Sequence, residues 1–212
     1  MPRKKEKPTI RSYFGDAAED YSTKQWMARN QHQTTQRALQ LLLDPKLGAL
    51  HVPLDETVII ADITCGSGFS SDILSELEFR FVGADLSFDM LRFAVDKGYD
   101  VVQSDIRFLP FRDKTFAHGI SISGLNFVAA SATSRTECAS CYNAAAIEFG
   151  RILRDGGRYA VEFYPVDDRE LELALSAFKR AGFRGFLVID HPGHRKEQKF
   201  LALEKEPPDM RG

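Results

Sequence analysis

Thr57-Val58-Ile59-Ile60-Ala61-Asp62-Ile63-Thr64-Cys65-Gly66-Ser67-Gly68 is the stretch on which the reading of this chain turns. Residues 57–63 are a nearly continuous apolar run, the pattern of a parallel strand buried on both faces. Gly66 and Gly68 let the backbone turn sharply and come close to a ligand. Residues 69–78 then read as a helix whose first N–H groups lack partners of their own. A glycine-rich strand–turn–helix unit is shared by nucleotide sites and ordinary tight turns, so its meaning depends on the rest of the chain.

Working outward, strands and helices alternate. Strand-like runs fall at 79–85, 100–105, 116–123 and 158–164. Helical runs fall at 87–97, at 137–154 (ended by Asp155-Gly156-Gly157) and at 167–181. Two further strand-like runs, 183–190 and 199–205, have only a short Pro/Gly segment between them, which spells an antiparallel pair at one sheet edge. Asp16 to Leu43 reads as helical, with Thr34 or Thr35 placed to cap a helix carrying Ala38, Leu39, Leu42 and Leu43, and with Pro45 and Gly48 to end it. The expected fold is therefore α/β: a doubly wound, Rossmann-like, mostly parallel seven-stranded sheet with a C-terminal antiparallel hairpin and an N-terminal helical extension. The expected organisation is a flexible basic tail over 1–12 and one domain over 13–206, with the helical extension at 13–48 and the Rossmann-like core at 57–206.

Bulk properties narrow the class. A chain of 212 residues, 43% hydrophobic and 27% charged, suits one soluble globular domain. No apolar run is long enough to span a bilayer, so no membrane is expected. The basic N-terminus has no apolar stretch after it and does not read as a secretory signal. Three cysteines form no disulfide framework and suit a reducing, cytoplasmic setting, or a nuclear one in a eukaryote. A net charge of −2 argues against nucleic-acid binding by bulk charge, while leaving room for local basic patches. Arg3, Lys4, Lys5, Lys7 and Arg11 read either as a solubilising terminus or as an RNA-contacting arm.

Three strand ends carry the ligand signal. The first is the turn Asp62, Thr64, Cys65, Gly66, Ser67, Gly68. The second is Asp85, 17 residues after Gly68, where a carboxylate can accept both ribose hydroxyls; Ser87 can cap the next helix in its place. The third is Ser104-Asp105-Ile106, where a carboxylate can accept an adenine amino group with Ile106 against the ring. Leu86, Met90, Ser121 and Ser123, at or just beyond these and the fourth strand's end, are further cofactor candidates. All of them meet at the carboxyl edge of one sheet, where open α/β sheets bind ligands. A dinucleotide site would prefer a third glycine where Ser71 stands, and Asp62 would repel a pyrophosphate. The same Asp62 would welcome the ammonium or sulfonium of S-adenosyl-L-methionine.

Further stretches sharpen this. D-I-T-C-G-S-G and F-V-G-A-D-L-S-F-D-M-L resemble class I methyltransferases in general. Tyr13, Ala18, Tyr21, Gln33 and Arg37-Ala38-Leu39, then Leu109-Pro110-Phe111, Thr115-Phe116, Ile120-Ser121-Ile122-Ser123, Gly156-Gly157-Arg158, Phe163-Tyr164-Pro165 and Ala181-Gly182-Phe183 with Gly185 and Val188 follow in order. Over residues 13–203 the chain is similar to the eukaryotic methyltransferases that make N7-methylguanosine in small-subunit ribosomal RNA. The resemblance implies a role in ribosome biogenesis, a guanine of ribosomal RNA in the small subunit as substrate, and a heterodimer with a small zinc-containing activator protein. The chain departs from the family at two places. Thr64 stands for the first glycine of D-I-G-C-G, and Ser123-Gly124-Leu125-Asn126-Phe127-Val128 stands for S-A-x-Q-W-L.

The N7 of guanine carries a free lone pair, so methylating it removes no proton and needs no general base. Alignment and favourable electrostatics suffice. Acceptor-side candidates are Asn126, Phe127, Tyr164 and Pro165 at the ends of the fourth and fifth strands, with Phe127 or Tyr164 placed to stack on the base and Asn126 to bond its edge. Tyr13, Phe14 and Tyr21 read either as a lid over the donor or as helix packing. Cys138 and Cys141 lack the further ligands a zinc site needs, so no metal is expected. His191, His194, Arg195, Lys196 and Lys199 form a basic hairpin tip suited to RNA or simply to water. Two other readings stand beside the main one: a methyltransferase for a small metabolite, and a non-catalytic ribosome-assembly factor that keeps the fold.

Overall fold

The computed structural model describes residues 13–207. Chain order is α1 (Asp16–Thr23), α2 (Gln25–Leu42), β1 (Ile59–Ile63), α3 (Phe69–Glu76), β2 (Arg80–Asp85), α4 (Phe88–Asp96), β3 (Val101–Gln103), β4 (Phe116–Ser121), α5 (Arg135–Ile152), β5 (Leu153–Glu162), α6 (Asp168–Arg180), β6 (Phe183–Asp190) and β7 (Gln198–Lys205). The strands form one seven-stranded sheet in the order β3-β2-β1-β4-β5-β7-β6. The first five are parallel, and β7 runs antiparallel to both β5 and β6. This is the fold class expected from the sequence. The order reverses between β1 and β4, which opens a crevice at their carboxyl ends.

Burial follows from composition. Ile60, Ala61, Ile63, Phe116, Ala117 and Ile120 on the central strands are at most 1% exposed. On one face of the sheet, α5 and α6 contribute Tyr142, Phe149 and Phe178, which pack with Phe163 and Phe183. On the other face, α2 and α3 contribute Leu39, Leu42, Ile73 and Leu74.

One buried ion pair ties the N-terminal extension to the sheet. Arg158 on β5 donates from Nε to Glu204 of β7 at 2.6 Å. Its two terminal nitrogens donate to the carbonyls of Leu42, Gly48 and Ala49. Those carbonyls belong to the end of α2 and the loop after it, where no intrahelical donor remains.

Several boundaries differ from the sequence reading. Thr34 and Thr35 do not cap a helix. They lie in the middle of α2 and turn their hydroxyls back onto the carbonyls of Asn30 and Gln31, because α2 begins nine residues before Thr34, at Gln25. Leu43 is 54% exposed, just beyond the helix. Asp155-Gly156-Gly157 does not separate helix from strand. α5 runs directly into β5 at Leu153, and these residues form an irregularity where β5 pairs Leu153 with Phe116 and then Arg158 with His118. The residues of the basic N-terminal tail lie outside those described.

Candidate functional site

The crevice at the carboxyl edge holds a cavity of about 230 Å³. The turn after β1 forms its floor. Gly66 has φ +55, and a Cβ there would come within 3.2 Å of Met90 Cε, so glycine gives the turn both its shape and its clearance. Thr64, Cys65, Gly66, Ser67, Asp85, Leu86, Met90, Ser104, Asp105, Ile106, Ser123 and Phe127 all line the cavity. Gly68 sits behind them as the N-cap of α3.

Asp85 occupies the end of β2. Its carboxylate accepts the N–H of Gly66 at 2.9 Å and of Ser87 at 2.8 Å. Ser87 in turn caps α4 by accepting from Met90 N–H. Burial raises the pKa of Asp85, and the backbone donors of Ser87, Gly66 and Leu86 oppose that rise. A carboxylate offers about four lone-pair sites. The backbone uses part of them, and the remainder can be reached from the cavity that Asp85 lines.

Asp105 is held differently. Arg107 forks onto both of its oxygens, at 2.9 Å from Nε and 2.6 Å from Nη2, and adds its own backbone N–H. These bonds keep the carboxyl of Asp105 below its ordinary pKa. Arg107 also lines the cavity. Sequence reasoning did not single it out, although a cation two residues beyond an acidic strand end was a readable signal.

Asp62 is placed away from the cavity. It is fully buried and accepts from Ser70 Oγ at 2.8 Å and Ser71 Oγ at 2.7 Å. It therefore anchors the start of α3 and does not itself line the cavity. Burial pushes its pKa up to about 6, against the opposing effect of the two serines. The sign follows from linkage: a folded-state pKa above the unfolded one adds stability below the unfolded value and loses it as pH rises through the folded value. Asp62→Asn, whose amide keeps partners because serine hydroxyls can reorient, removes that loss. Relative to wild type it is expected to gain on the order of 2–3 kcal/mol between about pH 4 and pH 6.5. Denaturant unfolding of both proteins at the two pH values checks this, and parallel curves would refute it.

The roof comes from the N-terminal extension. Tyr13, Phe14 and Tyr21 line the cavity with Phe69 and Phe127. Tyr13 packs edge-on against Tyr21 and Phe127, with ring centroids 5.2 and 5.3 Å apart. Burial, then the nearby Asp85 and Glu162, push the Tyr13 phenol up to about 12. The roof is fastened to α4 by Ser87 Oγ donating to the Tyr13 carbonyl and by Gly15 N–H donating to Asp89 at 2.8 Å.

At the acceptor side, Phe127 reaches the cavity, whereas Asn126, Tyr164 and Pro165 do not line it. Asn126 bridges the two strand ends, donating to the Ser123 carbonyl at 2.8 Å and accepting from Tyr164 N–H at 2.7 Å. Tyr164 donates its hydroxyl to Glu162 at 2.9 Å. Ser121 lies behind the cavity wall, its Oγ 3.0 Å from Thr64 Oγ1. Glu162 was not anticipated. It is a buried carboxylate held by Ser123, Tyr164 and Gln198, with its pKa raised by burial. Among the described residues no cluster of His, Cys, Asp and Glu could hold a metal ion. Cys138 and Cys141 are free and half-buried on α5.

The basic tip, residues 191–196, is exposed. It joins β6 to β7, and the register sets Phe200 of β7 opposite Glu162. The tip therefore projects at the same sheet edge as the cavity.

Comparison with known proteins accords with this geometry. A family profile described as "Methyltransferase domain" matches residues 61–161. A solved protein from Pyrococcus horikoshii OT3 shares the fold, with TM-score 0.63 at 18% identity, covering 93% of this chain and 96% of that one. The complex between the Haloferax volcanii Trm112 methyltransferase activator and the putative methyltransferase matches with TM-score 0.56 at 18% identity, over 86% of this chain and 94% of that one. The Dictyostelium discoideum "Probable 18S rRNA (guanine-N(7))-methyltransferase" is 29% identical over 86% of this chain, which spans 62% of that relative. The Bos taurus "18S rRNA (guanine-N(7))-methyltransferase" is 34% identical over 92% of this chain and 68% of its own length. The chain belongs to the family of 18S rRNA (guanine-N(7))-methyltransferases.

Proposed function

We propose that this protein transfers the methyl group of S-adenosylmethionine to N7 of a guanine in small-subunit ribosomal RNA. The observation that carries the reading is the cavity itself. A glycine-rich turn, the ribose-competent Asp85 and an aromatic roof meet at the carboxyl edge of the sheet, in a chain of this family. The donor supplies an activated methyl on a sulfonium. Asp85 would hold the ribose hydroxyls, Ile106 would lie against the adenine, and the turn Thr64–Ser67 would hold the amino-acid end. Phe127 closes the cavity toward the acceptor side. Asn126 fixes the relative position of the Ser123 and Tyr164 backbones. No proton has to leave N7, so this chain's contribution is alignment. Residues 13–206 act as one catalytic unit in which the segment through α1 forms the roof, and the exposed tip at 191–196 supplies phosphate contacts beside the cavity. The site of action is the cytoplasm or, in a eukaryote, the nucleus. Among the described residues no helix is long and apolar enough to cross a membrane.

The test is transfer of labelled methyl to small ribosomal subunits from cells lacking this gene, with an activator of the Trm112 kind present, followed by nucleoside analysis. Label in 7-methylguanosine is the expected result. No label, with intact binding of S-adenosylhomocysteine, would favour a metabolite substrate or an assembly role.

The activator belongs to the same reading. β3 is the sheet's edge strand, and Leu86, Phe88 and Phe108 beside it are 40%, 59% and 72% exposed. A free strand edge flanked by apolar side chains is open to pairing with another chain. Phe108→Asp is expected to weaken co-purification with the activator at least tenfold, as loss of a central aromatic anchor does. Unchanged co-purification would place the partner elsewhere.

A further inference from the structure

Thr64 and Ser123 both have left-handed backbones, with φ of +67 and +61. For a β-branched residue such as Thr64 that conformation is a genuine outlier. Strain of this kind persists where the surroundings over-determine it, and it collects at functional sites. Thr64 is in the turn after β1. Ser123 opens the 3-10 turn Gly124–Phe127 on the acceptor side. Both line the cavity, and the Thr64 side chain fills the gap between the two turns. Its hydroxyl donates to the Ile63 carbonyl and lies 3.0 Å from Ser121 Oγ.

That gap exists because residue 124 has no side chain. A Cβ on Gly124 would lie 2.0 Å from Thr64 Oγ1, 2.2 Å from its Cβ and 2.3 Å from its Cγ2. The Cβ of Thr64 is fixed by its own backbone, so no rotamer change relieves the overlap. Gly124 does not have a positive φ, so glycine is needed there for space and not for conformation.

We infer that Thr64 and Gly124 are a matched pair, and that Thr64 is a positioning residue that sets the acceptor turn against the donor turn. This rests on the methyl-transfer reading, but its first test does not need activity. Binding of S-adenosylhomocysteine by calorimetry, and thermal unfolding, are measured for wild type, T64G, G124A and T64G/G124A. G124A alone is expected to weaken binding about tenfold and to lower the unfolding temperature, while the double variant returns to within about threefold of wild type, as strongly coupled neighbours do. A double variant as impaired as G124A, or an unimpaired G124A, would overturn the pairing.

The positioning role is read separately in T64V, which keeps the branched shape and drops the hydroxyl. If T64V does not fold, S121A, which removes the hydroxyl that Thr64 Oγ1 meets at 3.0 Å, carries the comparison. Transfer to small ribosomal subunits should show kcat reduced about tenfold, with S-adenosylhomocysteine affinity within about threefold of wild type. A lowered unfolding temperature with unchanged kcat would reduce Thr64 to packing and overturn the role. If wild type itself transfers no methyl to subunits, the substrate reading fails while the binding and unfolding measurements still decide the pair.

Discussion

Arg158→Ala is expected to lower the unfolding free energy by about 3–5 kcal/mol, the usual cost of removing one partner from a buried ion pair. For a domain of this size that corresponds to a fall in Tm of roughly 6–20 °C. Arg158 and Glu204 are 1% and 0% exposed. Without the guanidinium, Glu204 keeps a bond from the half-exposed Arg184 at 2.6 Å but loses its buried partner. The carbonyls of Leu42, Gly48 and Ala49 lose their donor in the same step. The damage therefore spreads from the sheet into α2 and the loop behind it. Thermal and denaturant unfolding measure the effect. Arg158→Met with Glu204→Leu should recover much of the loss, because apolar replacement of both charges is often neutral or better. A single variant within about 1 kcal/mol of wild type would contradict the account, since ordinary surface changes fall in that range.

Asp85→Ala is expected to weaken binding of S-adenosylhomocysteine by about 100-fold or more. Two hydroxyl bonds to an ionised acceptor contribute about 1.5–3 kcal/mol each, and 1.4 kcal/mol is a factor of ten. Alanine also leaves the Gly66 and Ser87 N–H groups without the acceptor that shapes the turn. Asp85→Asn separates the two contributions, because its amide oxygen can still accept from the backbone while the charge is gone. It should lose less than the alanine variant. Calorimetry on folded protein, with unfolding recorded alongside, reads both, and an alanine variant within threefold of wild type would remove Asp85 from the donor site.

Much of the architecture was legible because its signals are local. Apolar runs such as Thr57–Ile63 are strands buried on both faces, and the short Pro/Gly link between 190 and 198 fits an antiparallel return. The cavity's lining was legible where strand ends carry it, as at Gly66, Asp85 and Ile106. What spacing left open is direction. Asp62 ends a strand like Asp85 but faces Ser70 and Ser71 on the next helix, and one-dimensional spacing does not say which way a strand-end side chain turns. Asn126 and Tyr164 were read against the base, yet the Asn126 amide joins the Ser123 carbonyl to the Tyr164 N–H and the Tyr164 hydroxyl goes to Glu162, contacts between strand ends 38 residues apart that spacing does not reveal. The pairing of Arg107 with Asp105 and the burial of Glu162 among Ser123, Tyr164 and Gln198 depend on contacts that periodicity does not encode. Arg158 read only as part of a motif, since its partners stand 46 and about 110 residues away.

The roof over the cavity has a kinetic consequence. Tyr13, Phe14 and Tyr21 close over the space where the donor would lie, and the segment that carries them is fastened to α4 through Ser87 and Asp89. α1 is eight residues long with Ala18 as its buried residue, so what holds the segment down is mainly the contact of Tyr13 and Tyr21 with Phe127 and Phe69. A donor lying under this roof can leave only when those rings part, so release of S-adenosylhomocysteine is expected to be slower than from an open crevice, and stopped-flow release reads it directly.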